Sequence, residues 1–324
     1  MLPLAPGAGP GGLAGVAVPP GARQGVPVTT RQHEDQVDVP VDAVRRLVAA
    51  QFPHWAGEPV SALESAGTVN AVFRVGTDKV ARLPLRPGAA DRVPREVEAA
   101  RELFGATRFP TPEPLAIGGP GEGYPFPWSI STWVPGTPAD EVDVTAAGGL
   151  ALDLAEFVHD VRALPLHEHR FSGTGRGGDL HVHDAWVDRC LARSEGLLDV
   201  PRLRALWEGF RRLPHVAADV VVHGDLIPGN VLVAGGRLAG VLDVGGLGPA
   251  DPALDLIAGW HLFEAPAREE FRRAVGADGL DWVRSQAWAF QQSVGLVEHY
   301  ARTNPRMSAL GRTTLDRILA DPLV

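Results

Sequence analysis

Two adjacent glycines, Gly235 and Gly236, separate the apolar runs Val231–Val233 and Leu238–Leu242, and no other feature constrains the folding of this chain as tightly. Gly-Gly is favoured in two-residue type I′ turns, whose central residues both need positive φ, so the stretch predicts a β-hairpin. Folding about that turn sets Asn230 opposite Val241. Asp243 then lies two residues further on, on the Val241 face because strand side chains alternate, and about 7 Å away at ~3.3 Å per residue. Val231, Val233, Leu238 and Leu242 become the packing that fixes the ribbon, so two oxygen-bearing side chains are expected on a rigid element.

Just upstream stands His223-Gly224-Asp225, which makes the pattern H-G-D-x-x-x-x-N followed by the D-x-G of Asp243 to Gly245. Phosphoryl transfer asks for one carboxylate beside the attacking hydroxyl and for oxygen ligands to the magnesium that bridges the nucleotide phosphates. Asp225 suits the first role, Asn230 and Asp243 the second. A lone D-x-x-x-x-N is usually loop and cap chemistry; the histidine, the hairpin and the D-x-G turn the argument the other way. His223 is expected to hold backbone groups rather than to move protons. Asp251-Pro252 reads as a helix N-cap with proline at the first helical position.

The constellation resembles the aminoglycoside phosphotransferase family, small-molecule kinases of the protein-kinase-like fold. The likeness extends through Ser65–Val75, Val80–Pro84, Arg95–Phe104, Tyr124–Gly136, Arg176–Leu180 and the tail from Trp282 to Asp321, and covers roughly Val39 to the C-terminus. It implies an α+β, two-lobed molecule, with a small β-rich N-lobe over residues 37–134 and a larger, mainly helical C-lobe over 135–324. It further implies that Asp225 accepts the substrate hydroxyl proton and that Asn230 and Asp243 hold Mg2+. Gly67, Thr68 and Asn70 belong to the loop over the phosphates, and Asp251 braces the catalytic loop. Ser131, Thr132, Trp133 and Val134 form the hinge that reads the base of ATP or GTP. The acceptor it implies is a hydroxylated small molecule, a cationic aminoglycoside-like antibiotic.

The chain departs from its relatives in three places. Gly224 stands where protein kinases usually carry arginine and no A-P-E segment follows, which favours a kinase without activation-loop control. Val244 replaces the phenylalanine of D-F-G, and Gly246 stands where many relatives carry a further aspartate. The usual third-strand lysine has no clear match. Arg82 takes the aligned place, with Glu96, or failing it Glu98, as its partner from the next helix. Lys79, the only lysine in the chain, is the alternative. Three residues apart on a strand, the two point to opposite faces, so only one can reach the cleft; a guanidinium can bind two phosphate oxygens at once.

A formal net charge of −9 argues against a nucleic-acid partner, which would need a basic face. Cys190 is alone, which forbids an internal disulfide and fits a reducing interior. Residues 1–36 are rich in glycine, proline and alanine, without the basic start of a secretory signal, and are expected to be a disordered extension. With no stretch able to span a membrane, cytoplasmic residence follows. Gly173, Gly175 and Gly178 spell a formal G-x-G-x-x-G, but without a strand before or a helix after it they suggest a loop at the cleft mouth. His167, His169, His181 and His183 fit no standard zinc spacing. Trp128 and Trp133 are expected in the core. Asp179, Asp281 and Glu298 are candidate anions for an amine-bearing ligand. Two rivals stand beside the antibiotic kinase: a metabolic kinase for choline, a sugar amine or an amino alcohol, and a catalytically dead nucleotide-binding protein.

Overall fold

A computed structural model describes residues 36–63, 69–166, 170–173, 175–277 and 279–323. The extension up to residue 35, the phosphate-loop positions Gly67 and Thr68, and His167 and His169 lie outside the described residues. Helix α1 (Val41–Gln51) comes first, then strands β1 (Val60–Ala62), β2 (Asn70–Val75) and β3 (Lys79–Pro84), the short helix α2 (Pro87–Ala90) and helix α3 (Val93–Leu103). Strands β4 (Pro114–Gly118) and β5 (Trp128–Thr132) complete an antiparallel sheet in the order β1-β2-β3-β5-β4. Alternation does the sorting. Ala71, Phe73 and Val75 of β2, with Ala81 and Leu83 of β3, are buried against Val44, Leu47 and Val48 of α1. Trp128 is fully buried in the same core and donates its indole N–H to Gly119 O at 3.1 Å. Trp133 departs from expectation: it is half-buried, with the Arg74 guanidinium stacked 3.9 Å from its ring.

A second and larger core fills the rest of the molecule. Its elements are the short strand β6 (Thr137–Pro138), helices α4 (Gly148–Arg162), α5 (Asp184–Arg193) and α6 (Val200–Phe210), strands β7 (Val220–Val222), β8 (Val231–Ala234), β9 (Arg237–Val241) and β10 (Gly248–Ala250), and helices α7 (Ile257–Leu262), α8 (Ala265–Val275), α9 (Gly279–His299) and α10 (Pro305–Ala320). Ala100 and Leu103 of α3 belong to this core, so α3 is anchored between the two lobes. Helix α10 starts eight residues before Thr313, where apolar periodicity alone would begin it. Asn304 caps it by accepting from Met307 N at 3.2 Å, and Pro305 opens its first turn.

Strands β8 and β9 form the expected hairpin, with φ of 58° at Gly235 and 73° at Gly236. Asp153 of α4 accepts from Arg237 and from Leu238 N, which ties the turn end of the hairpin to the helical lobe. The register differs from the expectation by one residue, since Val231, not Asn230, pairs with Val241. A bulge at Ala239 causes the shift. Gly240 lies so close to Pro110 that a Cβ there would meet its carbonyl oxygen at 2.7 Å, and Val241 N donates to the same oxygen at 3.0 Å. A long-range contact has bent the strand that local turn chemistry began.

Candidate active site

The loop after β7 carries His223, Gly224 and Asp225, and Asp255 fixes it. The buried Asp255 carboxylate accepts from His223 N and Gly224 N, both at 2.7 Å. Sequence reading gave this bracing role to Asp251, and the structure corrects it. Asp251 is fully spent elsewhere, capping Ala253 N at 2.9 Å and accepting from Arg284 Nε at 2.7 Å and Trp288 Nε1 at 2.9 Å. Burial raises the Asp255 pKa, opposed by the two backbone donors. Asp255→Ala strands two buried N–H groups, and at 1–3 kcal/mol for each unsatisfied group the loss in unfolding free energy is expected to be about 2–6 kcal/mol. Urea denaturation measures it; a loss below about 1 kcal/mol would remove the bracing role.

His223 closes a bracket between the two halves of the site. It is buried, its Nε2 lies 3.0 Å from Leu242 O, and its Nδ1 accepts from Asp225 N at 3.3 Å, so the partners assign a neutral ring with the proton on Nε2. Leu242 N in turn donates to Asn230 O at 2.8 Å. Asn230 sends its side-chain amide back to Asp225, 2.9 Å from the carbonyl and 3.2 Å from Oδ2. The residue before Asp243 is thus bonded to both His223 and Asn230, and the structure brings Asp225, Asn230 and Asp243 together. Asp243 itself has φ 57° and ψ 50°, a left-handed conformation uncommon outside glycine, which turns its carboxylate off the strand path. A Cβ at Gly246 would meet His223 O at 2.8 Å, so an aspartate there would need the backbone to shift.

Arg82 reaches Asp243 across the cleft, with Nη2 to Oδ1 at 2.8 Å. Burial opposes the charge of Arg82, but the Asp243 carboxylate prevails and raises its pKa. The reciprocal attraction lowers that of Asp243. The direct partner is therefore Asp243 rather than Glu96 or Glu98. Glu96 acts on Arg82 from further off and packs its stem over Gly245, where a Cβ would meet Glu96 Cγ at 2.6 Å; Glu98 pairs with Arg101 at the surface. Lys79 faces the opposite way, as strand parity requires. It is buried, paired with Glu58 at 2.9 Å and Asp78 at 2.6 Å, and lies over Trp55.

Two oxygens of this cluster remain for a cation, and they suit magnesium. Asn230 commits its amide nitrogen to Asp225, so its amide oxygen has no hydrogen-bond partner among the described residues; the same holds for Asp243 Oδ2. No group of three or more His, Cys, Asp or Glu fit to hold a metal occurs among the described residues. A small protein share of the ligands matches magnesium, which is commonly held by one or two protein groups together with nucleotide phosphates.

Asp225 is further held by two residues that the sequence did not single out. Its Oδ1 accepts from Arg176 Nη2 at 3.0 Å and from Gln292 Nε2 at 2.9 Å. Behind Gln292 runs a relay of neutral groups, with His261 Nε2 at 3.1 Å from Gln292 Oε1 and His261 Nδ1 at 2.9 Å from Thr314 Oγ1. Burial pushes the His261 pKa down to about 4, so the ring stays uncharged near neutrality. Gln292→Leu removes one charge-assisted hydrogen bond, which at about 1.5 kcal/mol corresponds to a roughly tenfold fall in kcat. Steady-state kinetics at saturating nucleotide and acceptor check it; an unchanged kcat would leave Gln292 outside the positioning set.

In the small lobe, Asn70 opens β2 opposite Pro84, and Ser131 and Thr132 end β5. Thr132 N and Trp133 N already donate to Glu113 O at 2.9 Å and Asp78 O at 2.7 Å. Val134 is buried against Gly240, joining this stretch to the hairpin. Beside Arg176 and Gln292, the two residues that hold Asp225, a pocket of about 780 Å3 opens between Gly173, Gly175, α5 and the end of α9. Gly173, Gly175 and His183 line it. The candidate anions do not: Asp179 is exposed outside it, Glu298 pairs with Arg193 at 3.8 Å, and Asp281 sits in the first turn of α9. At 1.5 Å per residue that turn is about 15 Å from the pocket.

A model of the phosphotransferase enzyme family matches residues 63–290. The chain belongs to this family. The region matched contains the hairpin, the catalytic loop and most of α9, and membership bears out the aminoglycoside phosphotransferase resemblance. Among curated proteins, the aminoglycoside 3′-phosphotransferase of Escherichia coli is 30% identical over 42% of this chain and 53% of its own length. The viomycin phosphotransferase of Streptomyces vinaceus is 30% identical over 57% of this chain and 67% of its own length. The chain thus spans about half the length of the first of these relatives and two thirds of the second. The solved GDP and kanamycin complex of APH(2″)-IIia superposes with a TM-score of 0.68 over 86% of this chain and 99% of that one, at 20% identity. That likeness establishes the two-lobed kinase fold. Among the described residues no helix is long and apolar enough to cross a membrane.

Proposed function

We propose that this family member is a small-molecule kinase that moves the γ-phosphoryl group of ATP or GTP to a hydroxyl of an antibiotic-like acceptor. The reading is carried by one observation: Asn230 bonds Asp225 through its side chain and Leu242 through its backbone, which draws the would-be proton acceptor and the two would-be metal ligands into one cluster. Asp225 accepts the proton of the attacking hydroxyl. Arg176 and Gln292 hold its Oδ1 still, because this chemistry is mostly positioning and electrostatics. Asn230 and Asp243 would hold magnesium through the amide oxygen and Oδ2. Bound there, the ion would supply positive charge against the negative charge that develops in phosphoryl transfer. Arg82, on the cleft face of β3, binds phosphate oxygens, and Gly67, Thr68 and Asn70 cover them. Ser131 to Val134 lie at the base, which takes backbone groups other than the Thr132 and Trp133 N–H already bonded within the small lobe.

The test is a phosphate-transfer screen with labelled ATP and GTP across aminoglycosides, macrolides and peptide antibiotics. Magnesium-dependent label transfer to a hydroxyl is the expected result. A protein that binds Mg-nucleotide and transfers label to none of them leaves the two rivals, which choline, sugar-amine and amino-alcohol acceptors separate: label transfer to one of these marks the metabolic kinase, and none marks the dead nucleotide-binding protein; one that binds no Mg-nucleotide would end the enzyme reading.

A further inference from the structure

We propose that the pocket beside Asp225 is the acceptor site, and that it takes a neutral or anionic hydroxylated compound with a flat, apolar body rather than a polycationic amine. The inference rests on the phosphoryl-transfer reading above and narrows its substrate. Two lining residues, Arg176 and Gln292, are the groups that grip Asp225 Oδ1, so a hydroxyl seated between them stands next to the carboxylate. The walls are Trp186, Leu296, Tyr300 and Val182. Trp186 is 40% exposed and rests its indole on Gly295 of α9, where a Cβ would meet Cζ2 at 2.8 Å. An exposed indole steadied against a helix backbone is a platform for a flat, apolar group.

Charge decides the class. No Asp or Glu lines the pocket among the described residues, and its one permanently charged lining group is the Arg176 guanidinium. The acids nearest to it on α5 and α9 are already matched: Asp184 with Arg211, Asp188 with Arg204, Glu298 with Arg193. Both Asp225 oxygens also accept donors. A ligand carrying several ammonium groups would lose hydration beside a cation and gain no counter-charge, which is unfavourable. Neutral polar chemistry is present instead. Gln291 lines the pocket at 7% exposure, and its buried Oε1 has no hydrogen-bond partner, so a small turn of the side chain offers an unclaimed acceptor to a hydroxyl. His183, beside it, is kept neutral by burial and by Arg176.

Acceptors graded in charge test this on the full chain with Mg-nucleotide: kanamycin as the polycation, 4-nitrophenyl β-glucoside as the neutral aryl sugar, and 4-nitrophenyl β-glucuronide as the anion. The neutral or anionic compound is expected to show kcat/KM at least tenfold above kanamycin. Trp186→Ala should raise its KM at least fivefold without moving the nucleotide KM. Gln291→Glu, with melting temperature confirming the fold, should shift the ratio at least tenfold toward kanamycin. Preference for kanamycin, turnover of none of the three, or acceptor KM values indifferent to both substitutions would overturn the assignment. Calorimetry separates this from the underlying reading: loss of the kinase reading shows as no Mg-nucleotide binding, whereas a protein that binds Mg-nucleotide and fails the acceptor test overturns the acceptor class alone.

Discussion

Asp225→Asn is expected to lower turnover by at least ~10², the usual worth of general-base help, while nucleotide affinity changes by no more than about threefold. The substitution keeps the shape of the side chain and, with its amide oxygen turned to Arg176 and Gln292, both of those bonds; only the longer Asn230 contact at 3.2 Å is lost, so it removes basicity more than structure. Asp225 makes no bond to Arg82 or Asp243, the residues assigned to phosphate and metal, so the nucleotide side of the cleft should be undisturbed. Single-turnover kinetics with saturating Mg-nucleotide, paired with calorimetric titration of nucleotide, separate the two effects. Unchanged turnover removes Asp225 from the base role; an equal loss in nucleotide binding would make it a structural residue.

Asp243→Ala is expected to abolish magnesium-dependent nucleotide binding, an effect of at least ~10² in affinity, since second partners around a metal already cost 10–100-fold and this is a ligand itself. Arg82 holds the Asp243 carboxyl below the usual carboxylate range, so it is ionised throughout the neutral region. The sign follows directly. An acid whose folded pKa is depressed adds stability that is present above its unfolded pKa and is lost as pH falls through the folded value. The Arg82–Asp243 pair should therefore weaken only in acid, and nucleotide binding should show no Asp243 titration between pH 6 and 9. Substituting Asp243 also releases Arg82, which leaves a cation free for phosphate; weak, magnesium-independent nucleotide binding is the expected residue of affinity.

The parts of this molecule that were legible in its sequence are those set by short-range rules. Gly235-Gly236 dictated a turn because only positive φ closes it, and the alternation in β3 set Arg82 and Lys79 on opposite faces, with the family resemblance choosing Arg82 for the cleft. Longer-range contacts decided the rest. The bulge at Ala239 depends on Pro110, more than a hundred residues away, and moved the register by one. Asp255 displaced Asp251 as the brace because Arg284 and Trp288 of α9 had already claimed Asp251. Arg176 and Gln292 find Asp225 from 49 and 67 residues away, so no local pattern marks them. Gln292 carried a faint signal, the middle of three polar residues, Gln291 to Ser293, inside an otherwise apolar stretch of α9. The acceptor pocket was the least legible of all, since acids scattered along the chain say nothing about which arginines neutralise them.

The central claim is that Asn230 and Asp243 serve one and the same divalent ion at the nucleotide phosphates. Mn2+ binding in the presence of ATP or GTP, followed by electron paramagnetic resonance for the wild type, Asn230→Ala, Asp243→Ala and the double variant, measures this directly. A shared ion predicts strong non-additivity, a coupling of about 1 kcal/mol or more; strictly additive losses would mean that the two side chains serve different sites.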